Sequence, residues 1–372
     1  MENYNARYAR HYSLKDFGEE GQQKLLAGNV LVIGAGGLGC PVLQYLVASG
    51  IGAIGIVDHD VVALSNLQRQ VLYRTADVGK SKAKVAYQRL SQLNPEIRID
   101  AFDLEINSRN ALAIFSGYDI IVDCTDNFAS RYLINDACML LEKPLVFGAI
   151  YQYEGQVAVF NSGLAGTGIN YRNLFPHPPM PDQVQDCNEA GVIGILPGII
   201  GLMQASEVVK ILTGIGEVLS GRLLTFSLLD YKIFIMEIDG EHPVSHLAPR
   251  NEIEFENTDY NWLCGLSNSR IEELEPSEFL HRASSPDTIV LDVRESWELP
   301  KANFANLNIP LSRLDVNLPQ IRAGNILLFC QSGKRSLKAG EILLEKLDST
   351  KKIGHLKGGI VALQEIDHEQ DH

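Results

Sequence analysis

Three glycines with the spacing Gly34-x-Gly36-x-x-Gly39 follow a short apolar run and precede a helix-like pattern. Glycine allows a tight turn at such a place and lets backbone N–H groups approach a phosphate at the start of a helix. A second apolar run ends at Asp58, whose carboxylate can accept a hydrogen bond from a ribose hydroxyl. These residues predict a nucleotide site. Because ATP and NAD share this ribose, the residues do not choose between them.

Basic side chains follow in the segments LSNLQRQ and DVGKSKA. Arg69, Lys80 and Lys82 bring more positive charge than the pyrophosphate bridge of a dinucleotide needs, so they favour a triphosphate. The segment DCTDN then places Asp126 and Asn127 after an apolar run, where open α/β sheets bind their ligands. A carboxylate there can hold Mg²⁺ against phosphate oxygens. The alternatives are a solvated helix face for the basic residues and a helix N-cap for Asp126.

A second candidate centre lies in the segment NILLFCQSGKRSLKAGEILLEKL. Cys330 ends a buried apolar run, and the loop after it leads into the N-terminus of a helix. Backbone N–H groups and a basic pair there should lower the pKa of the thiol and hold an anion, as a thiolate nucleophile or a persulfide requires. The alternative is a buried cysteine at a strand end. The loop residues are Gln331, Ser332, Gly333, Lys334 and Arg335.

Another cysteine, Cys187, lies in the polar segment DQVQDCNEAG downstream of four prolines. An isolated cysteine in such a segment is either an incidental loop thiol or a nucleophile on a mobile loop. A mobile loop would let the thiol approach a newly formed reactive group.

The elements that must position these residues follow from the hydrophobic pattern. Strand-like and helix-like runs alternate from about residue 28 to 160, which predicts a doubly wound α/β nucleotide-binding domain over 1–240. The segments EGQVAVFN and GRLLTFSLLDYKIFIMEID predict a later antiparallel extension of that domain. Residues 241–270 are polar and lack periodicity, so we expect a linker there. A second, smaller α/β domain is predicted over 271–372.

The composition limits the classes of partner. The net charge of −14 argues against a nucleic-acid-binding surface. The N-terminal segment has no apolar signal core, and the longest uncharged apolar stretch, AGVIGILPGIIGLMQAS, is interrupted by Pro197 and several glycines. We therefore expect a soluble cytoplasmic protein with no nucleic-acid or membrane partner. Its six scattered cysteines are expected to be free thiols.

Six segments in order resemble the ubiquitin-activating-like adenylyltransferases that serve the sulfur carriers of molybdopterin and thiamin biosynthesis. They are RYARHYSL, VLVIGAGGLGCP, DHDVVALSNLQRQVL, DVGKSKA, DCTDNFASRYLINDAC and EAGVIGILPGIIGLMQASEVVKILTG, and they cover roughly residues 4 to 240. The resemblance implies adenylation, with ATP, of the C-terminal glycine of a small ubiquitin-fold carrier ending in Gly-Gly. It also implies that Asp126 holds Mg²⁺ and that Arg10 reaches the phosphates across a homodimer interface.

The same resemblance implies a set of ATP contacts, to which the glycine loop adds Gly34 and Gly36. The contacts that it implies are Gly37, Asp58, Ser65, Asn66, Leu67, Gln68, Arg69, Lys82, Asp126 and Asn127. A cysteine at the place of Cys187 implies an acyl link with the carrier.

Three segments of the second domain, LDVRESWEL, CQSGKRS and LKGGIVAL, resemble the rhodanese family over about residues 271–366. Only four residues separate Cys330 from Arg335, whereas tyrosine phosphatases use five, and the shorter loop suits sulfur better than phosphate. The resemblance implies that Cys330 carries a persulfide, which would attack the acyl adenylate to give a thiocarboxylate. The segment after DVRE diverges, so the sulfur donor stays open between a cysteine desulfurase and thiosulfate. The whole chain resembles adenylyltransferase/sulfurtransferase fusions.

One departure from the adenylyltransferase pattern concerns a metal. The family commonly has two Cys-x-x-Cys pairs that bind a structural zinc, and they would fall at Asn170 and Asn173, and at Asn261 and Cys264. A neutral amide is a poor zinc ligand beside thiolate, and one cysteine cannot close a tetrahedral site. We expect no bound zinc, with hydrogen bonds among the asparagines in its place.

Two other functions compete with this interpretation. A nicotinamide oxidoreductase would need an acid or base at a hydride site, and we find none convincingly placed. A non-catalytic scaffold for a ubiquitin-fold partner would need neither the charged residues of the nucleotide site nor the reactive cysteine. The sequence keeps both, as Arg69, Lys82 and Asp126 and as Cys330.

Overall fold

The computed structural model describes residues 6–162, 168–176, 191–239, 248–260, 271–299, 301–302, 304–314, 324–347 and 351–363. Three predicted residues, Cys187, Asn261 and Cys264, lie outside these ranges, as does the side chain of Lys334. The chain divides into two compact units, Met1–Cys264 and Gly265–His372.

The first unit is built around an eight-stranded sheet with helices on both faces. Its helices are α1 (Ala9–Tyr12), α2 (Gly18–Ala27), α3 (Gly39–Ser49), α4 (Lys82–Leu93), α5 (Ala111–Phe115), α6 (Phe128–Leu140), α7 (Tyr171–Leu174), α8 (Ile195–Thr213) and α9 (Glu252–Asn257). Its strands are β1 (Asn29–Ile33), β2 (Ala53–Val57), β3 (Arg98–Phe102), β4 (Ile120–Asp123), β5 (Leu145–Tyr151), β6 (Glu154–Phe160), β7 (Arg222–Ser227) and β8 (Ile233–Glu237).

The strand order in this sheet is β3-β2-β1-β4-β5-β6-β7-β8. The first five strands are parallel and the last three are antiparallel, which confirms the predicted doubly wound sheet with an antiparallel extension. Strands β1, β2 and β4 are buried along almost their whole length because helices cover both faces of the sheet. The chain builds β2 and β3 on one side of β1 and then crosses to build β4 and β5 on the other side. Parallel sheets bind ligands at such a switch point.

Helix α8 is a long and predominantly apolar helix of the first unit. By length and composition alone it could cross a membrane. It packs against α3 and against strands β5 and β6, and the side chain of Gln204 enters the sheet at Gly148. A Cβ at Gly148 would lie 2.3 Å from Cδ of Gln204, so only glycine allows this approach. The predicted buried helix is therefore a core helix of the first unit.

Strand β8 ends the sheet order and differs from the other strands. All five of its residues are exposed, including the apolar side chains of Ile233, Phe234, Ile235 and Met236. A sheet edge with this much exposed apolar surface is uncommon in soluble proteins.

Part of the segment for which we predicted a linker packs on the first unit. Residues 248–260 include helix α9, and Phe255 of that helix is fully buried. The hydroxyl of Tyr260 donates a hydrogen bond of 2.9 Å to the carboxylate of Asp136 on α6. These contacts explain why the boundary between the two units falls after this segment.

The second unit is a small parallel sheet with helices. Its elements are β9 (Ile271–Leu274), α10 (Pro276–Ala283), β10 (Thr288–Asp292), β11 (Leu307–Asn308), β12 (Asn325–Phe329), α11 (Lys334–Lys346) and β13 (Lys352–Leu356). The strand order is β11-β10-β12-β13-β9, and every pairing is parallel. This confirms the predicted small α/β domain. Strand β12 is central and delivers Cys330 at its carboxyl end.

Candidate active sites

The carboxyl ends of β1, β2 and β4 lie at one edge of the large sheet. Ile33 at the end of β1 pairs with Val57 of β2 and with Asp123 of β4, so the residues that follow these strands meet. Gly34 has φ +94°, and a Cβ there would lie 2.7 Å from the carbonyl oxygen of Cys124. Glycine is therefore required at this turn.

A cavity opens at this edge and brings together most of the predicted nucleotide residues. The predicted residues that line it are Gly34, Gly36, Gly37, Asp58, Arg69, Lys82, Asp126 and Asn127. Ser65, Asn66, Leu67 and Gln68 are not among its lining residues. They build the 3₁₀ turn Leu64–Asn66 and the chain leading to Arg69, whose Nη1 donates a 3.3 Å hydrogen bond to the carbonyl of Ser65.

The carboxylate of Asp58 is held by backbone N–H groups. It accepts hydrogen bonds from Ala35 at 2.7 Å and from Asp60 at 2.8 Å. Burial raises the pKa of Asp58, against the opposing effect of the Lys82 charge and these N–H donors. The hydrogen bond from Ala35 holds the carboxylate next to the glycine loop. A carboxylate that accepts a hydrogen bond from the ribose hydroxyl lies at this position in such folds.

The ammonium group of Lys82 is almost removed from water. Its side chain is 6% exposed, and Nζ lies 2.8 Å from Oδ2 of Asp60, which also lines the cavity. Burial would raise the pKa of Asp60, but the hydrogen bond and charge of Lys82 outweigh it and lower that pKa. Lys80, by contrast, is exposed and lies 3.6 Å from Asp77.

Two adjacent polar residues follow β4 and have different tasks. The side chain of Asn127 caps α6 by accepting a hydrogen bond of 2.8 Å from the backbone N–H of Ser130. The capping role that we considered for Asp126 thus belongs to its neighbour. Asp126 lines the cavity with an exposed carboxylate. One such carboxylate fits Mg²⁺, which usually keeps several waters and takes its other ligands from substrate phosphates.

The cavity also contains Gln70 of the segment LSNLQRQ, and sequence reasoning missed other residues that line it, among them Asp60, Thr125 and Arg131. Arg131 is buried and stacks on the rings of Phe128 and Phe147, at 5.4 and 5.5 Å from guanidinium carbon to ring centroid. A signal for it was available, since Arg131 lies four residues after Asn127 on the same helix face.

Arg10 lies on the short helix α1 and is exposed. It is not among the residues that line the cavity. The role of Arg10 at the phosphates of a second subunit stays a prediction.

The thiol of Cys330 is buried among hydrogen-bond donors. Burial by itself would raise its pKa, but the Ser336 hydroxyl and the backbone N–H groups of Ser336, Ser332 and Arg335 outweigh burial and lower the pKa. The Ser336 oxygen lies 3.6 Å from the sulfur. The N-terminus of α11 thus supplies the donors that an anionic sulfur needs.

Arg335, the last residue of the predicted cradle, makes a bidentate ion pair with Glu298, at 2.6 and 2.8 Å. This bond lowers the pKa of Glu298 to about 2. Glu298 lies in the divergent segment after DVRE and was not predicted. Gly333 adopts φ +88° at the N-cap of α11, a conformation that suits glycine.

The asparagines that replace the first cysteine pair form a helix cap. The Asn170 side chain accepts a hydrogen bond from the backbone N–H of Arg172 at 2.8 Å, and the Asn173 side chain accepts one from that of Asn170 at 2.9 Å. Within the described ranges, no group of three or more His, Cys, Asp or Glu side chains could hold a metal ion.

A model of the ThiF family matches residues 8–246. The chain belongs to the ThiF family. This ThiF family protein is 41% identical to the probable adenylyltransferase/sulfurtransferase MoeZ of Mycobacterium tuberculosis, over 96% of this chain and 92% of the relative. It is 50% identical to the sulfur carrier protein adenylyltransferase of Thermus thermophilus, over 70% of this chain and 96% of that one.

A crystal structure of E. coli MccB with ATP is similar to the ThiF family protein, with a TM-score of 0.55 and 25% sequence identity. The similarity covers 66% of this chain and 75% of the MccB chain. With the relatives above, it confirms the resemblance drawn from the sequence. The protein is an enzyme of the adenylyltransferase and sulfurtransferase classes and uses ATP.

Proposed function

We propose that this enzyme adenylates the C-terminal glycine of a small ubiquitin-fold sulfur carrier ending in Gly-Gly, and then transfers sulfur from a Cys330 persulfide to give a thiocarboxylate. The observation that carries the proposal is one cavity lined by the glycine loop, Asp58, Arg69, Lys82 and Asp126, in a chain that also holds the Cys330 thiol among hydrogen-bond donors at a helix N-terminus. A hydride-transfer enzyme would not need this thiol, and a scaffold would need neither feature.

The adenylation step follows from the charges around the cavity. The carrier carboxylate attacks the α-phosphorus of ATP, and pyrophosphate leaves. Negative charge builds on the phosphate oxygens, where Arg69 and Lys82 stabilise it more in the transition state than in the ground state. Asp126 would hold Mg²⁺, which neutralises phosphate charge when bound.

The sulfur-transfer step uses the anionic sulfur that the α11 N-terminus stabilises. The terminal sulfur of the Cys330 persulfide attacks the acyl carbon, AMP leaves, and an acyl disulfide forms. A thiolate then attacks Sγ of Cys330, which forms a new disulfide and releases the thiocarboxylate. We propose that Cys187 supplies the thiolate that reduces this acyl disulfide. Alternatively, Cys187 accepts the acyl group from the adenylate at an earlier step. A thiol reductant restores the enzyme.

The proposal extends to the partners and surroundings of the enzyme. We propose a cytoplasmic homodimer in which Arg10 of one subunit serves the phosphates of the other, and no nucleic-acid or membrane partner. The sulfur donor is a cysteine desulfurase or thiosulfate. We also propose that Asn170, Asn173, Asn261 and Cys264 bind no structural zinc.

An exchange experiment tests the proposal. We expect the enzyme to exchange labelled pyrophosphate into ATP only with a carrier that keeps its Gly-Gly end, and Asp126→Asn to lower the exchange at least ~100-fold. The Cys330→Ala variant should exchange normally but should fail to raise the carrier mass by the difference between sulfur and oxygen. The absence of exchange with every Gly-Gly carrier would refute adenylation, and sulfur transfer by Cys330→Ala would refute the role of Cys330.

A further inference from the structure

Asp60 contacts Lys82 through both its backbone and its side chain. The backbone N–H of Lys82 donates to the carbonyl of Asp60 at 2.9 Å, and Nζ of Lys82 donates to Oδ2 of Asp60 at 2.8 Å. The lysine is the first residue of α4 and its side chain is almost fully buried. Its ammonium group is therefore held at one place on the cavity wall.

Asp60 is itself held by the residue at the ribose end of the cavity. Its backbone N–H donates a hydrogen bond of 2.8 Å to Oδ1 of Asp58, and Oδ2 of Asp58 accepts one of 2.7 Å from Ala35 in the glycine loop. A continuous chain of hydrogen bonds thus runs from the glycine loop through Asp58 and Asp60 to Lys82. It sets the distance between the ribose acceptor and the phosphate-binding ammonium.

The charge of Asp60 opposes simple nucleotide binding. Its side chain is 57% exposed and lines the cavity, where a carboxylate repels the negative triphosphate. It also competes with the phosphates for the Lys82 ammonium. A residue whose only task was to contact the phosphates of ATP directly would not be acidic. The carboxylate is explained if its task is to keep Lys82 where charge develops during the reaction.

We propose that Asp60 is a positioning residue for adenylation, which restrains Lys82 so that its charge serves the transition state rather than the bound ATP. This inference rests on the proposed function. Without the carboxylate, the Lys82 ammonium is free to move toward the phosphates of bound ATP. It then stabilises the bound ATP more and the transition state less, and the reaction rate falls. Removal of a donor that itself contacts the transition state lowers kcat by roughly 100- to 1,000-fold, and we expect a smaller loss when only the residue that positions such a donor is changed.

The test compares ATP binding with turnover in Asp60→Asn. We expect kcat for carrier-dependent pyrophosphate exchange to fall at least ~10-fold, while the Kd for ATP, measured by calorimetry, is unchanged or tighter. Asp60→Glu should restore part of the rate because it restores the charge. Damage to the fold would instead weaken ATP binding and lower the rate together.

A double-mutant cycle tests whether Asp60 acts through Lys82. In a Lys82→Met background, Asp60→Asn should change kcat by less than ~2-fold, because the group that it positions is gone. The matched control is Asp103→Asn. It breaks the ion pair between Asp103 and Lys84, a lysine that lies on α4 two residues after Lys82, and it should leave the rate unchanged.

Three results would overturn the role of Asp60. They are weaker ATP binding in Asp60→Asn, a fall in kcat of less than ~10-fold, and a change in kcat of ~2-fold or more when Asp60→Asn is added to the Lys82→Met background. An enzyme that shows no exchange before any substitution would overturn adenylation itself and this inference with it. The two failures are distinguishable because only the second appears in the unmodified enzyme.

Discussion

Burial and hydrogen bonding act in opposite directions on the Cys330 thiol, and hydrogen bonding prevails. The sequence led us to expect a lowered pKa from backbone N–H groups at the start of the helix together with Lys334 and Arg335. The direction and the backbone donors are as expected. The guanidinium of Arg335, however, is paired with Glu298, and the side-chain donor is the unpredicted Ser336. The Ser336 hydroxyl also lies 2.9 Å from the carbonyl of Gly333, so one proton serves two acceptors. Ionisation of the thiol favours donation to sulfur.

Replacing Ser336 with alanine should raise the pKa of Cys330, since a hydrogen bond to a charged group contributes about 1.5 kcal/mol or more. The thiolate fraction at neutral pH then falls. Alkylation of Cys330 by iodoacetamide, followed by mass spectrometry across pH, measures the change. Ser332→Ala is the control, because Ser332 acts through its backbone N–H. An unchanged alkylation profile in Ser336→Ala would remove the hydroxyl from the explanation.

At the scale of elements, a buried ion pair joins parts of the first unit that are distant in sequence. Asp136 on α6 accepts two hydrogen bonds of 2.7 Å from the Arg172 guanidinium on α7, and a third from Tyr260. All three side chains are buried. Arg172 lies between Asn170 and Asn173, and Tyr260 directly precedes Asn261. The network thus uses residues that neighbour, in the sequence, both places where the family pattern puts zinc-binding cysteines.

We expect Asp136→Asn to lower the free energy of unfolding by about 3–5 kcal/mol, because it leaves the buried Arg172 charge uncompensated. Tyr260→Phe should cost about 1.5 kcal/mol or more, because it removes a hydrogen bond to the same charged carboxylate. EDTA should leave the unfolding midpoint unchanged if this network, rather than zinc, joins the segments. Denaturant titration measures these effects, with Glu20→Gln in an exposed helical pair as a control that changes nothing measurable. Stoichiometric zinc that disappears in Cys264→Ser would contradict this expectation.

The elements themselves were largely predictable because they depend on local patterns. Uninterrupted apolar runs predicted the buried parallel strands, and the carboxyl ends of those strands placed Gly34, Asp58 and Asp126 together. The partners of those residues were not predictable. Asp60 and Lys82 are 22 residues apart in the sequence, and Arg335 and Glu298 are 37 residues apart. Such pairs become visible only in the folded chain. The packing of Phe255 was missed because its helix is too short to show a period.

At the scale of the whole molecule, the proposed dimer makes a prediction about mixed subunits. In the proposed dimer, Arg10 of one subunit contacts the ATP phosphates bound to the other subunit. A subunit carrying Arg10→Ala still has an intact Asp126, and a partner carrying Asp126→Asn can supply it with Arg10. Mixing the two inactive variants should restore about a quarter of the exchange activity after subunits reassort at random. Exchange rates before and after mixing measure this. Absence of recovery, with mixed dimers demonstrated by mass, would place Arg10 outside the neighbouring site.

The exposed edge strand β8 has a consequence for how the protein behaves in concentrated solution. The net charge of −14 keeps molecules apart at long range, but at ~0.1 M salt this repulsion fades beyond about 10 Å. Ile233, Phe234, Ile235 and Met236 stay exposed at the end of the sheet when this repulsion is screened. We therefore expect added salt to promote association of the free enzyme through this edge. Light scattering across a salt series measures this association, and its absence would contradict the expectation.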